Sequence, residues 1–165
     1  MKTEPIITDI KLNSDILNQE LNFKFGSYIY NYEKLIRTDY FLVNLIAEYQ
    51  DLISDLNIPI EDYKIPENIN AFNEGLIEII NASINNKVVF FGCFGGIGRT
   101  GIVLACLNKI FNNVGEDLII KTREYLPHAL ETNQQMDFVN NYDVSVIQNY
   151  LKNHNNINNK LKVNF

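Results

Sequence analysis

Cysteine is scarce in this chain, with two among 165 residues, Cys93 and Cys106. Two cysteines make no disulfide framework, and the count fits a reducing compartment. Histidine is equally sparse. His128 and His154 stand without the partner spacing that a metal site needs, so neither a metal nor another cofactor is expected. No apolar run approaches the ~20 residues of a membrane-crossing helix. The opening Met1-Lys2-Thr3-Glu4-Pro5 has no apolar signal region. Positive charge is in deficit: 14 Lys and Arg against 20 Asp and Glu give a formal net charge of −6. That balance argues against a general nucleic-acid binder and against a binder of anionic membranes. The expectation is a cytoplasmic protein, with its oligomeric state left open.

What is present suits an ordinary globular protein, with 46% hydrophobic and 21% charged residues. The length fits one domain, expected over residues 1–152, followed by a frayed Asn-rich tail over 153–165. Pro5 to Lys11 alternates weakly and reads as an edge strand. Asn13-Ser14-Asp15 is placed to cap a short helix reaching Leu21. Strands are expected over Ser27–Tyr30, Tyr40–Ile46, Leu52–Pro59 and Lys87–Phe91, the last being central. Asn70 to Ile84 puts Phe72, Leu76, Ile80 and Ile84 on one face, the pattern of an amphipathic helix. Further helices are expected over Arg99–Asn112, from Glu116-Asp117 to Pro127, and from Thr132 to Tyr150, with a turn at Asn113-Val114-Gly115. Strands alternating with helices give an α/β class with a central, mostly parallel sheet flanked by helices. Sites in such sheets lie beyond the carboxyl ends of strands.

One loop carries chemistry. Gly92-Cys93-Phe94-Gly95-Gly96-Ile97-Gly98-Arg99-Thr100-Gly101 joins the apolar run Val88–Phe91 to the apolar run Ile102–Leu107, so it lies between a buried strand and a buried helix. Three glycines between Cys93 and Arg99 let the backbone curl with successive amides facing inward at a helix N-terminus, which makes an anion nest. The Arg99 guanidinium can hold two oxygens of a phosphate. The amides of Phe94, Gly95, Gly96, Ile97 and Gly98, with Arg99, are the expected phosphate-binding set. Cys93 sits in the same positive field, which favours thiolate over thiol. A thiolate under a phosphate-shaped cradle suits phosphoryl transfer to sulfur. The plainer reading of a cysteine as a small buried hydrophobe suits Cys106, inside the next helix. A Walker-type nucleotide loop is excluded, because Gly98-Arg99-Thr100 has no lysine.

Cys93-x5-Arg99-Thr100-Gly101 resembles the signature loop of the cysteine-based protein tyrosine and dual-specificity phosphatases. Spacing, strand–loop–helix context and the glycines at 96 and 98 agree. The resemblance implies Cys93 as nucleophile, Arg99 as phosphoryl binder, a cradle shaped by Gly95, Gly96 and Gly98, and a Thr100 hydroxyl that stabilises the leaving thiolate. A hydroxyl bonded back to the helix backbone is the alternative for Thr100. One departure is plain: the family usually has histidine just before the cysteine, where it helps to order the loop and tune the thiolate, and this chain has Gly92.

Expelling an alkoxide or phenoxide requires a proton, so the chemistry predicts a carboxylic acid on a separate loop. Pro59-Ile60-Glu61-Asp62-Tyr63-Lys64-Ile65-Pro66 supplies one and resembles the family's general-acid loop, a Pro-Ile-x-Asp pattern followed four residues later by Pro. That register makes Asp62 the acid, later acting as base toward water, and Glu61 its rival. Ala129-Leu130-Glu131-Thr132-Asn133-Gln134-Gln135 resembles a further family segment whose loop flanks the pocket. Thr132-x-x-Gln135 also reads as a capping box, which gives Gln135 a structural role.

The resemblance spans roughly Tyr40 to Tyr142. It implies a metal-independent phosphatase acting on phosphorylated protein or peptide through a phosphocysteine. The phosphotyrosine-gripping loop of the tyrosine-specific branch has no counterpart here, so a shallow, dual-specificity site is expected, with Tyr63 and Phe94 at its rim. Phe94 and Ile97 stand where phosphoinositide phosphatases place lysines. Two rivals are a pseudophosphatase that binds phosphorylated partners and a rhodanese-like sulfurtransferase. The sulfurtransferase loop is one residue shorter and needs no acid loop.

Overall fold

Alternation decides the N-terminal part. Ile10 and Leu12 point to the core from a strand β1 (Ile7–Ser14), and Leu21, Phe23 and Phe25 do so from β2 (Gln19–Ser27). The two form an antiparallel hairpin in which Leu12 faces Leu21 and Ile10 faces Phe23. The computed structural model that shows this describes residues 5–112 and 117–164. No helix forms between Asn13 and Leu21. The Ser14 hydroxyl accepts the Leu17 amide in the hairpin turn instead of capping a helix, and Asn18 takes the left-handed conformation that asparagine tolerates (φ 52°). The period of two over Leu21, Phe23 and Phe25 outweighs the capping signal.

The strand expected over Ser27–Tyr30 ends at Ser27. Beyond it the chain turns, with the Asn31 amide donating to the Ser27 carbonyl at 2.8 Å and the Tyr28 hydroxyl donating to the Ile53 carbonyl. A one-turn helix α1 (Tyr32–Leu35) follows. Next come β3 (Phe41–Ile46), a 3-10 turn at Ala47–Tyr49, β4 (Leu56–Ile60), α2 (Ile69–Ile84), β5 (Val89–Cys93) and α3 (Gly98–Asn112). The sheet order is β1-β2-β5-β3-β4. All pairings beyond the β1–β2 hairpin are parallel. This is the α/β architecture expected, and β5, buried at all five positions, is its centre. Helices flank the sheet, and α3 is buried nearly throughout.

After α3, the expected turn at Asn113-Val114-Gly115 and the helix start at Glu116 lie outside the described residues. Asp117 precedes α4 (Leu118–Tyr125). The single helix expected from Thr132 to Tyr150 is two, α5 (Asn133–Asn141) and α6 (Ser145–Val163). Lys109 explains the break: its ammonium donates to the carbonyls of Val139, Asn140 and Tyr142, ending α5 on a cation. Asp143 then accepts the Ser145 amide at 2.9 Å and starts α6. The segment after residue 152 is not frayed but continues α6, and the Asn155 amide reaches back to the Ile16 carbonyl. Among the described residues no helix is long and apolar enough to cross a membrane.

The placement of the central loop depends on a backbone seam. Gly26 of β2 faces Gly92 of β5 in parallel register. A Cβ on Gly92 would penetrate the Gly26 carbonyl oxygen and lie 3.1 Å from the Tyr28 nitrogen. Gly96, at φ 78°, rests on the same strand end, where a Cβ would lie 2.5 Å from the Gly26 carbonyl carbon. Hydrogen bonds complete the seam: the Tyr28 amide donates to the Cys93 carbonyl at 2.8 Å, and the Ser27 hydroxyl donates to the Phe94 carbonyl. Gly95, in contrast, has open space where its Cβ would lie. Gly92→Ala is therefore expected to lower stability by about 1–3 kcal/mol, the usual cost of overpacking, whereas Gly95→Ala should leave it near wild type. Thermal unfolding followed by circular dichroism checks both, and equal midpoints for the two variants would refute the seam.

Candidate active site

Cys93 ends β5 and is 3% exposed. Its sulfur accepts a hydrogen bond from the Thr100 hydroxyl at 3.1 Å, and that hydroxyl accepts the Cys93 amide at 3.0 Å. Thr100 is thus turned toward the sulfur and not back along its own helix. Helix α3 begins at Gly98, so the loop Phe94–Ile97 lies at a helix N-terminus whose partial positive charge favours an anion. Among the described residues the amides of Phe94, Gly95, Gly96 and Ile97 find no acceptor within the protein. Cys106, by comparison, is wholly buried in α3, and burial pushes its thiol far above the ordinary range. That thiol is inert.

Arg99 is 2% exposed and its charge is fully countered. One terminal nitrogen donates to Glu48 at 2.8 Å and to the Ile60 carbonyl at 2.9 Å, while the other lies 3.5 Å from Asp62. Burial opposes the guanidinium charge. The Glu48 hydrogen bond and the nearby Cys93, Glu48 and Asp62 outweigh it and hold Arg99 above its ordinary pKa. For Glu48, burial likewise raises the carboxyl, but the hydrogen bond from Arg99, one from its own backbone and the Arg99 charge together hold it below the usual range.

Asp62 lies just past β4, in a loop where Tyr63 takes a left-handed conformation (φ 59°) and donates its amide to the Asp62 carboxylate at 3.1 Å. Glu61 does not line the cavity that holds Cys93, whereas Asp62 does. Gln135 anchors this loop. Fully buried, it accepts the Glu131 amide at 2.9 Å through its side-chain oxygen and donates to the Lys64 carbonyl at 3.1 Å through its nitrogen. Thr132 caps α5 by accepting the Gln135 amide at 3.1 Å, as the capping-box spacing predicts. The same glutamine therefore ties the loop of Asp62 to the loop of Glu131.

The cavity measures about 390 Å³ and brings together Cys93, Phe94, Gly95, Ile97, Gly98, Arg99 and Asp62. Gly96 lies outside it, on the seam with β2. Glu48, Tyr49 and Glu131 complete the wall. Glu48 went unread in the sequence, since nothing local ties a carboxylate in a 3-10 turn to an arginine 51 positions later. Ser27 was likewise read only as a strand residue. Its signal was the glycine beside it, because Gly26 marks a close backbone approach. The histidine position of the resemblance is closed to side chains here, and the Cys93 carbonyl is held by the Tyr28 amide instead. No cluster of His, Cys, Asp and Glu that could hold a metal occurs among the described residues.

The family model described as "Tc-R-P: Polymorphic toxin system, DSP-PTPase phosphatase" matches residues 29–110. Two uncharacterized proteins of Methanocaldococcus jannaschii are 39% and 35% identical over 101 and 100 residues, 59% of this chain in each case. The matched regions span 65% and 60% of those relatives' own lengths. Among solved structures, the chain is similar to Tk-PTP in its active form (20% identity, 76% of this chain and 92% of that one, TM-score 0.58). It is also similar to DUSP15 (17%, 81% and 90%, TM-score 0.63) and to the core catalytic domain of the PP-IP phosphatase SIW14 from S. cerevisiae (20%, 81% and 88%, TM-score 0.57). At these identities the structures establish a shared fold.

The depressed carboxyl of Glu48 sets a pH signature. A carboxyl whose folded pKa lies below its unfolded value of about 4.3 adds stability above that value and loses it as pH falls through the folded one. Glu48 is 41% exposed, so water screens the pair and its contribution is about 0.2–1 kcal/mol. Glu48→Gln should melt below wild type at pH 7, with the gap closing on acidification below about pH 4. A gap that stays constant with pH would show that the charge of Glu48 does not stabilise Arg99.

Proposed function

We propose that the chain is a cysteine-based tyrosine or dual-specificity phosphatase, as its match to the DSP-PTPase family model supports, and that it hydrolyses phosphomonoesters on protein, phosphotyrosine foremost, through a phosphocysteine. The observation that carries this reading is the meeting of the Cys93 sulfur, its Thr100 hydrogen bond, Arg99 and Asp62 on one cavity. The Cys93 thiolate attacks phosphorus while the ester P–O bond breaks, and protonated Asp62 gives its proton to the leaving oxygen. Asp62 then takes a proton from water, whose oxygen attacks phosphorus as the S–P bond breaks. The Thr100 hydroxyl steadies the departing thiolate, and inorganic phosphate leaves. Arg99 grips two phosphoryl oxygens through the edge turned away from Glu48, where Asp62, protonated as the acid, no longer competes as a countercharge, and the amides of Phe94 to Gly98 take the remaining charge.

The similar structures include OH1 from the Orf virus, a tyrosine phosphatase with triple substrate specificity, and the PP-IP phosphatase SIW14. A phosphoprotein suits this chain better. Arg99 is the one cationic side chain lining the cavity among the described residues, and Phe94 and Ile97 supply no lysine for further phosphates. Tyr63 and Phe94 stand 58% and 37% exposed at the mouth. They flank an aryl ester, and we assign slower hydrolysis of phosphoserine and phosphothreonine to the same opening.

Turnover of a generic aryl phosphate tests the reading. Cys93→Ser should abolish it, and retained turnover would remove Cys93 as nucleophile. Asp62→Asn should lower kcat by about 10²–10⁴, and by less for esters whose leaving group is already a weak base. Glu61→Gln should do far less. If Glu61→Gln is the more damaging change, the acid-loop register is off by one.

A further inference from the structure

The cavity around Cys93 carries more negative charge than a phosphate site requires. Three carboxylates line it, Glu48, Asp62 and Glu131, against one guanidinium. Arg99 is already matched, by Glu48 at 2.8 Å and Asp62 at 3.5 Å. Glu131 is not. Among the described residues it makes no ion pair, and its carboxyl lies over Gly98, where an added Cβ would meet its Cδ at 3.1 Å. The nearby cations are turned elsewhere. Arg123 donates to the Ala129 and Leu130 carbonyls behind the loop, and Lys64 does not line the cavity.

The wall beside these carboxylates is aromatic. Tyr49 and Phe94 pack with ring centroids 6.2 Å apart, and Tyr30 meets Phe94 edge-on at 6.0 Å. Tyr30, Tyr49, Tyr63 and Phe94 are 64%, 44%, 58% and 37% exposed. Open aromatic faces and an unpaired carboxylate attract the same kind of group, a cation on a flexible stem. A phosphate dianion entering alone meets repulsion from Glu131. A phosphate with an ammonium or guanidinium beside it does not.

We infer that the site selects phosphoesters flanked by lysine or arginine, with Glu131 as the specificity-determining residue. This rests on the phosphatase reading above. The test compares two phosphotyrosine peptides that differ only in one residue next to the phosphotyrosine, Arg in one and Glu in the other. Both are assayed beside an aryl phosphate that has no flank. Wild type should favour the Arg peptide in kcat/KM by about two- to fivefold, the range of an exposed ion pair. The ratio should fall toward one as salt is raised. It should fall likewise in Glu131→Gln, which keeps the backbone amide that Gln135 holds. Equal rates, or preference for the Glu peptide, would overturn the inference while aryl phosphate turnover keeps the phosphatase reading intact. A preference that persists in Glu131→Gln would overturn the role of Glu131. Loss of aryl phosphate turnover as well would point to failure of the phosphatase reading itself.

Discussion

Everything at the site hangs on the contact of backbone with backbone where β2 ends. Gly26, Gly92 and Gly96 meet with no space for side chains, and the Ser27 hydroxyl and Tyr28 amide bind the carbonyls of Phe94 and Cys93. A loop of glycines is entropically costly to order. Pinning its first turn to a sheet strand confines that cost to a few residues already fixed by neighbours. The amides of Phe94 to Ile97 then remain unspent, because the loop's carbonyls and not its N–H groups make the anchoring bonds. A cradle for an anion follows from which half of each peptide unit the strand takes.

A second constraint is the buried arginine. A guanidinium 2% exposed is tolerable only with hydrogen-bonded countercharge. Glu48 and the Ile60 carbonyl supply it from β3's following turn and from the end of β4. The parallel order β5-β3-β4 brings these strand ends to the same edge as Cys93. Sheet topology therefore brings together three separate segments, the Cys93–Arg99 loop, the turn of Glu48 and the loop of Asp62, as expected where strands share one carboxyl end.

How much of this was legible in the sequence depends on how local each signal is. The Cys93–Arg99 loop, the α2 helix and the central strand are written in contiguous residues and were readable. The place of Asp62 beside the cavity was readable because its loop carries prolines on both sides. The β1–β2 hairpin was misread, because a capping signal at Asn13-Ser14-Asp15 competes with an alternation that becomes decisive only when two strands pair. The α5–α6 break was invisible for a related reason, since the group that ends α5 is Lys109 of α3. Glu48 and Ser27 belong to the same class: their partners lie 51 and 67 positions away, and no local pattern reports such a contact.

Gln135 shows why a structural reading and a functional one need not compete. Its spacing from Thr132 is that of a cap, and the cap forms. Yet the side-chain amide is spent elsewhere, its oxygen on Glu131 and its nitrogen on the Lys64 carbonyl. A buried amide satisfied at both ends is rigid, because releasing either end leaves a polar group unpaired away from water. The loops bearing Asp62 and Glu131 are thereby held at one separation across the mouth. The residue whose amide Thr132 caps in the first turn of α5 is also the strut that sets how far apart two of the site's carboxylates stand.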